Sequence, residues 1–97
     1  MAVIETMTFR LLPGADEADF LAVDKRLQVA FAYQQPGLVR RTTARGDGGI
    51  WVVIDVWQTA GHADAMSALW DTDALADEFM AHVDANSVEV RRYVTLD

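Results

Sequence analysis

His62 and His82 are the only imidazoles in the chain. His62 falls in the first turn of an expected helix, where the positive helix end lowers its pKa and favours the neutral ring. A neutral imidazole facing a pocket is a general base toward a phenol or an enol. The alternative is a solvent-facing histidine at a helix start, and both readings stand. His82 lies near the end of the same helical segment, where a structural role is expected. Asp55 sits between Trp51 and Trp57 in an otherwise apolar run. Desolvation there raises its pKa and a nearby arginine lowers it, so it is either a base or substrate anchor, or one half of a structural ion pair. Glu5 invites the same two readings; near a strand start it is expected to be solvated. Met7, Phe31, Tyr33, Met66, Trp70, Phe79 and Met80 are candidates to line an aromatic-rich cavity, although such residues at helical spacing also serve as plain core.

Several chemistries are missing. There is no cysteine, hence no disulfide, thiolate metal site or cysteine nucleophile. No metal-ligand cluster, Ser-His-Asp grouping or Gly-rich phosphate loop is evident, and Gly46 to Gly49 reads as a hairpin turn because no helix follows it. The net charge of −7 argues against nucleic acid, since phosphate neutralisation needs clustered Lys and Arg. Arg40-Arg41 and Arg91-Arg92 alternate across strands, so each pair is split between two faces. No apolar run approaches transmembrane length and Met1 opens no signal-like segment, so a soluble, cytoplasmic protein without membrane contact is expected. A hydrophobic content of 52% is high for 97 residues and hints at a partner subunit.

The positioning elements are organised around Ile50 to Trp57, in which seven of eight residues are apolar. Ile50, Val52, Ile54 and Val56 point one way; Trp51, Val53, Asp55 and Trp57 point the other. Two tryptophans and a valine carry roughly 400–600 Å² of side chain, worth on the order of 10 kcal/mol when buried. Both faces therefore need cover. Val3 to Leu11 forms a first strand, with Val3, Glu5, Met7, Phe9 and Leu11 on one face. Pro13-Gly14 stops it, Asp16 caps a helix, and Phe20, Val23, Leu27, Ala30, Phe31 and Gln34 form its apolar stripe, with Asp24, Lys25 and Gln28 outside. Pro36-Gly37 ends the helix and Leu38 to Arg45 is a second strand.

Asp47-Gly48 then predicts a two-residue type I′ hairpin. That register sets Ala44 opposite Trp51, Thr42 opposite Val53, Arg40 opposite Asp55 and Leu38 opposite Trp57. Thr59 caps a second helix carrying Met66, Leu69 and Trp70, interrupted at Asp71-Thr72-Asp73 with Thr72 as a candidate new cap. Ser87 to Leu96 is the last strand.

The order β-α-β-β-α-β predicts one domain over residues 1–97, an α+β, ferredoxin-like unit in which two helices cover one face of a four-stranded antiparallel sheet. The bare face predicts a homodimer with two sheets packed face to face. The chain resembles the dimeric α+β-barrel superfamily, and within it the antibiotic-biosynthesis-monooxygenase-like family. The resemblance rests on Pro13-Gly14 before an acidic helix start, Gln35-Pro36-Gly37 before the second strand, Val53-Ile54-Asp55-Val56-Trp57 leading into the second helix, and Glu89-Val90-Arg91-Arg92-Tyr93 in the last. A glutamate usual in that family is replaced here by Asp55.

The resemblance implies a cofactor-independent monooxygenase acting on a small aromatic or polyketide-like substrate: a pocket base deprotonates a phenol and the anion reacts directly with dioxygen. His62 or Asp55 is the implied base, and Tyr33 or an arginine the donor that stabilises the anion. The alternative is a non-catalytic homodimer that binds a small apolar ligand or serves as an assembly module. No cofactor is expected. Haem-degrading relatives carry a first-strand asparagine, and a tryptophan and ligating histidine on the second helix; here Met7 takes the first place. An ungapped count puts Met66 and Leu75 at the other two, and a four-residue insertion puts Trp70 and Phe79 there. His82 is three residues further on, rotated about 60° away, so no axial ligand is supplied.

Overall fold

In a computed structural model that describes residues 1–96, the chain runs as β1 (Val3–Phe9), α1 (Glu17–Ala30), β2 (Leu38–Arg45), β3 (Trp51–Trp57), α2 (Ala60–Trp70), α3 (Ala74–Met80) and β4 (Glu89–Val94). The four strands form one antiparallel sheet in the order β2-β3-β1-β4, a ferredoxin-like α+β arrangement. Among the described residues no helix is long and apolar enough to cross a membrane.

The helices begin where short polar side chains occupy orphaned backbone N–H groups. Asp16 accepts from the Asp19 N–H, Thr59 from the His62 N–H and Asp73 from the Ala76 N–H. The cap of α3 is thus Asp73, not Thr72, whose hydroxyl donates to the Leu69 carbonyl of the preceding turn. The expected first helix closes earlier, at Ala30, and passes through a 3-10 turn at Ala32–Gln34 before Pro36-Gly37. Likewise β1 ends at Phe9, and Leu11 makes only an isolated bridge with Val83.

All three helices cover the sheet face that carries Val3, Phe9, Trp51, Val53 and Trp57, each nearly or wholly buried. Phe20 of α1 stands at the centre, in edge contact with Phe9 and Trp51 and tilted against Phe79 at 5.1–5.8 Å between ring centroids. The other face, with Ile4, Val52, Ile54 and Val56, is half-exposed.

The β2–β3 hairpin corrects the sequence expectation. The Gly46 N–H donates to the Ile50 carbonyl at 2.8 Å, leaving three loop residues, Asp47-Gly48-Gly49, rather than two. Gly48 and Gly49 take the two left-handed positions, at φ 69° and 79°. With two glycines available the chain avoids the Cβ penalty that a left-handed Asp47 would incur. One extra loop residue moves the register by one: Arg45 faces Trp51, Thr43 faces Val53 and Arg41 faces Asp55. The pairing of Leu38 with Trp57 survives because a bulge between Leu38 and Arg40 absorbs the extra residue. Arg40 does not meet Asp55; it lies on the open face, where its Nε donates to Thr42.

Candidate active site

The shifted register places Arg41, rather than Arg40, on the helix-covered face, and the side chain is 4% exposed as a residue. A buried guanidinium needs acceptors, and α1 supplies the first. Arg41 Nη2 bonds Asp24 Oδ1 at 2.8 Å, while Nη1 donates to Gln28 at 3.2 Å and Thr43 at 3.3 Å. Asp24, expected outside the buried stripe, is therefore buried, and it also accepts from the Thr43 hydroxyl. Arg41 Cζ lies 5.9 Å from the Phe79 ring centroid, within cation–π range. Tyr33 fixes the backbone of the same residue: its hydroxyl accepts from the Arg41 N–H at 2.9 Å and donates to the Arg41 carbonyl at 3.3 Å.

Asp55, on β3 opposite Arg41, holds its Oδ1 3.9 Å from Arg41 Nε, outside hydrogen-bond distance. That oxygen is buried and has no hydrogen-bond partner. Burial pushes the Asp55 carboxyl up from 3.8 to about 6; Arg41 opposes the rise, and Glu5 and Asp24 add to it. Glu5 is itself engaged rather than freely solvated, accepting from Arg92 Nε and Nη2 at 3.2 and 3.0 Å, while Arg92 Nη1 reaches Asp64 on α2 at 2.8 Å.

A cavity of about 280 Å³ opens beside Asp55. Its floor is sheet: Glu5 and Met7 from β1, Arg41 from β2, Val53 and Asp55 from β3. Met66, Ser67 and Trp70 of α2 form the facing wall, and Asp71 and Val90 complete it. Ser67, Asp71 and Val90 are exposed and mark the mouth between α2 and β4. Met7, Asp55, Met66 and Trp70 thus share one cavity. Phe31, Tyr33 and Phe79 are outside its lining: Phe31 packs tilted and Phe79 edge-on against Trp70, at 6.2 and 5.9 Å between centroids, and Tyr33 is occupied by the β2 backbone.

His62 is elsewhere. Its Nδ1 is 2.8 Å from the Thr59 hydroxyl and its ring lies directly over Gly37, away from Asp55 and the cavity lining. His82 Nδ1 contacts the Glu78 carbonyl and its ring faces Phe20. Among the described residues no group of three His, Cys, Asp or Glu side chains could hold a metal ion.

This architecture recurs in solved structures. SnoaB, a cofactor-independent oxygenase from Streptomyces nogalater, superposes with a TM-score of 0.81 at 23% identity, over 99% of this chain and 94% of that one. A structure described as an antibiotic biosynthesis monooxygenase gives 0.76 at 18% identity, covering 98% and 99% of the two chains. The chain has the antibiotic-biosynthesis-monooxygenase-like fold. A conserved protein from Methanosarcina mazei Go1 shares it at a TM-score of 0.73 and 14% identity, over 96% and 91% of the chains. No family model and no curated protein sequence matches.

Proposed function

We propose that the chain is a cofactor-independent monooxygenase in which the cavity holds a small aromatic substrate and Asp55 is its general base. One observation carries this reading: Asp55, a carboxylate whose Oδ1 is buried without a hydrogen-bond partner, lines a cavity walled by methionine, valine and tryptophan. The lifted pKa, about 6, suits a base that is ionised at neutral pH yet basic enough to take a phenolic proton. The likeness to SnoaB supports the reaction class.

The chemistry balances with dioxygen as the oxidant. Asp55 takes one proton from a substrate C–H or O–H, and the resulting delocalised anion gives one electron to dioxygen. Recombination of the radical pair forms the C–O bond of a peroxide, and the proton held by Asp55 returns to its outer oxygen. Loss of water then breaks the O–O bond and leaves a carbonyl, so a CH₂ and O₂ become C=O and H₂O. Proton transfer moves the negative charge from Asp55 to the substrate without changing the total, and Arg41 stays beside it throughout. A second copy of the chain covering the open sheet face belongs to the same proposal, because that face carries apolar side chains that the described residues leave partly exposed.

The test is oxygen consumption with an anthrone-type substrate. The rate, as kcat/KM, is expected to rise with pH and level off above about 6, and Asp55→Asn is expected to lose about 10²–10⁴-fold while His62→Ala keeps activity. Stoichiometric ligand binding without oxygen uptake would instead favour a binding module.

A further inference from the structure

Arg41 lines the cavity and Arg92 holds Glu5 of its lining, yet neither presents a free fork. Arg41 has Nη2 on Asp24 and Nη1 on Gln28 and Thr43, and only its Nε edge faces Asp55. Arg92 has Nε and Nη2 on Glu5 and Nη1 on Asp64. The terminal nitrogens of both arginines, the pair that a ligand carboxylate would grip in a fork, are already engaged by side chains of the protein. What the lining adds is carboxylate: Asp55, whose buried Oδ1 has no hydrogen-bond partner, and Asp71 at the mouth.

A ligand anion brought in here would add charge beside Asp55 and Asp71 with no cation free to neutralise it, at a desolvation cost that its ring contacts cannot offset. A ligand cation is no better placed at the inner end, because it would share Asp55 with the Arg41 guanidinium a few ångströms behind it. An uncharged donor such as a phenolic O–H can bond the Asp55 carboxylate and adds no charge.

We infer that this cavity selects aromatic ligands that are uncharged and carry a hydrogen-bond donor, and that it excludes ring systems bearing a carboxylate. The selection is set by Asp24 and Glu5, which occupy Arg41 and Arg92 and so remove both from the ligand's reach. This inference rests on the proposal above that the cavity takes a small aromatic molecule.

The experiment measures binding of three probes by calorimetry near neutral pH: a naphthol, the same naphthol carrying a ring carboxylate, and the methyl ester of that acid. The naphthol and the ester are expected to bind comparably, and the acid about tenfold more weakly or worse. Asp24→Asn releases Arg41 Nη2, and Glu5→Gln releases two nitrogens of Arg92; either variant is expected to narrow the gap between acid and ester by about tenfold. Circular dichroism identifies which variants fold, and the wild-type comparison stands without either. Equal or tighter binding of the acid to the wild type overturns the selectivity and leaves the aromatic pocket intact. Failure of all three probes to bind overturns both.

Discussion

Arg41 and Asp55 stand opposite each other on β2 and β3, yet the strong hydrogen bond of Arg41 goes to Asp24 on α1, at 2.8 Å, and leaves Asp55 at 3.9 Å. One cation is thus shared unequally between two carboxylates. Asp24 is held as a structural partner, while Asp55 keeps a buried oxygen without a hydrogen-bond partner and a carboxyl that burial pushes up to about 6. The division separates the residue that holds the site together from the one available for chemistry.

That division has a stability cost with a defined sign. The folded-state pKa of Asp55 is raised, so the folded chain binds a proton more tightly than the unfolded one, and stability falls as pH rises from 3.8 to about 6. Some two units correspond to about 3 kcal/mol, lost in full above that window. Asp55→Asn is expected to be more stable than the wild type at pH 7, by up to that amount, and close to it below pH 4, the lower end of the same window. Urea denaturation at the two pH values checks this; a variant equally destabilised at both would contradict the buried, charged Asp55.

The Asp24–Arg41 pair should behave as a buried one. Asp24→Ala leaves a desolvated guanidinium whose remaining carboxylate neighbour is Asp55 at 3.9 Å, so a loss of about 3–5 kcal/mol is expected. Arg40→Ala, on the open face, should stay within about 0.5 kcal/mol. A double-mutant cycle between Arg40 and Asp55 should give no coupling, whereas Arg41 with Asp24 should give a large one.

The strand pattern was legible in the sequence because β-branched and aromatic residues alternate cleanly, whereas the Leu38–Trp57 pairing, expected from a two-residue loop, holds only through the bulge between Leu38 and Arg40. The register was not legible, since Asp-Gly-Gly admits both a two-residue and a three-residue loop and only packing chooses. Asp24 is instructive in a different way. It lies four residues after Phe20 and three before Leu27, on the buried side of a 3.6-residue helix, and only its charge argued otherwise. A buried carboxylate on α1 is intelligible once Arg41 faces inward, and Arg41 faces inward only in the observed register. Ser67 and Asp71 at the cavity mouth carry no sequence signal beyond their helical spacing from Met66 and Trp70.

His62 acts on the fold instead of the cavity. Gly37 sits at φ 82°, and a Cβ there would lie 2.2 Å from the His62 ring. Gly37→Ala therefore combines a left-handed backbone penalty of about 1–2 kcal/mol with displacement of the ring from Thr59. Gly14, at φ 80° with open space around it, carries the backbone penalty alone. Thermal denaturation should rank Gly37→Ala below Gly14→Ala, and adding His62→Ala should restore Gly37→Ala to the level of Gly14→Ala. Equal effects of the two single substitutions would mean the ring moves aside freely.

The open sheet face supports the last expectation. Ile4 pairs with Val56, Thr6 with Ile54 and Thr8 with Val52, so these side chains share the face opposite the helices and form an apolar band along β1 and β3. Thr42 and Ala44 extend it onto β2, and Tyr93 onto β4. Among the described residues this band is only partly covered, and a face of this kind marks an interaction surface. A second copy offers the same band by symmetry and needs no other partner. Sedimentation equilibrium is expected to give a dimer at micromolar concentration. Ile54→Lys places a charge within the band of each copy and should yield a folded monomer, with the helix-covered core, Trp57 and Phe20 included, unchanged by near-ultraviolet circular dichroism. A wild-type chain that stays monomeric and soluble would remove the argument that its sheet needs a second copy.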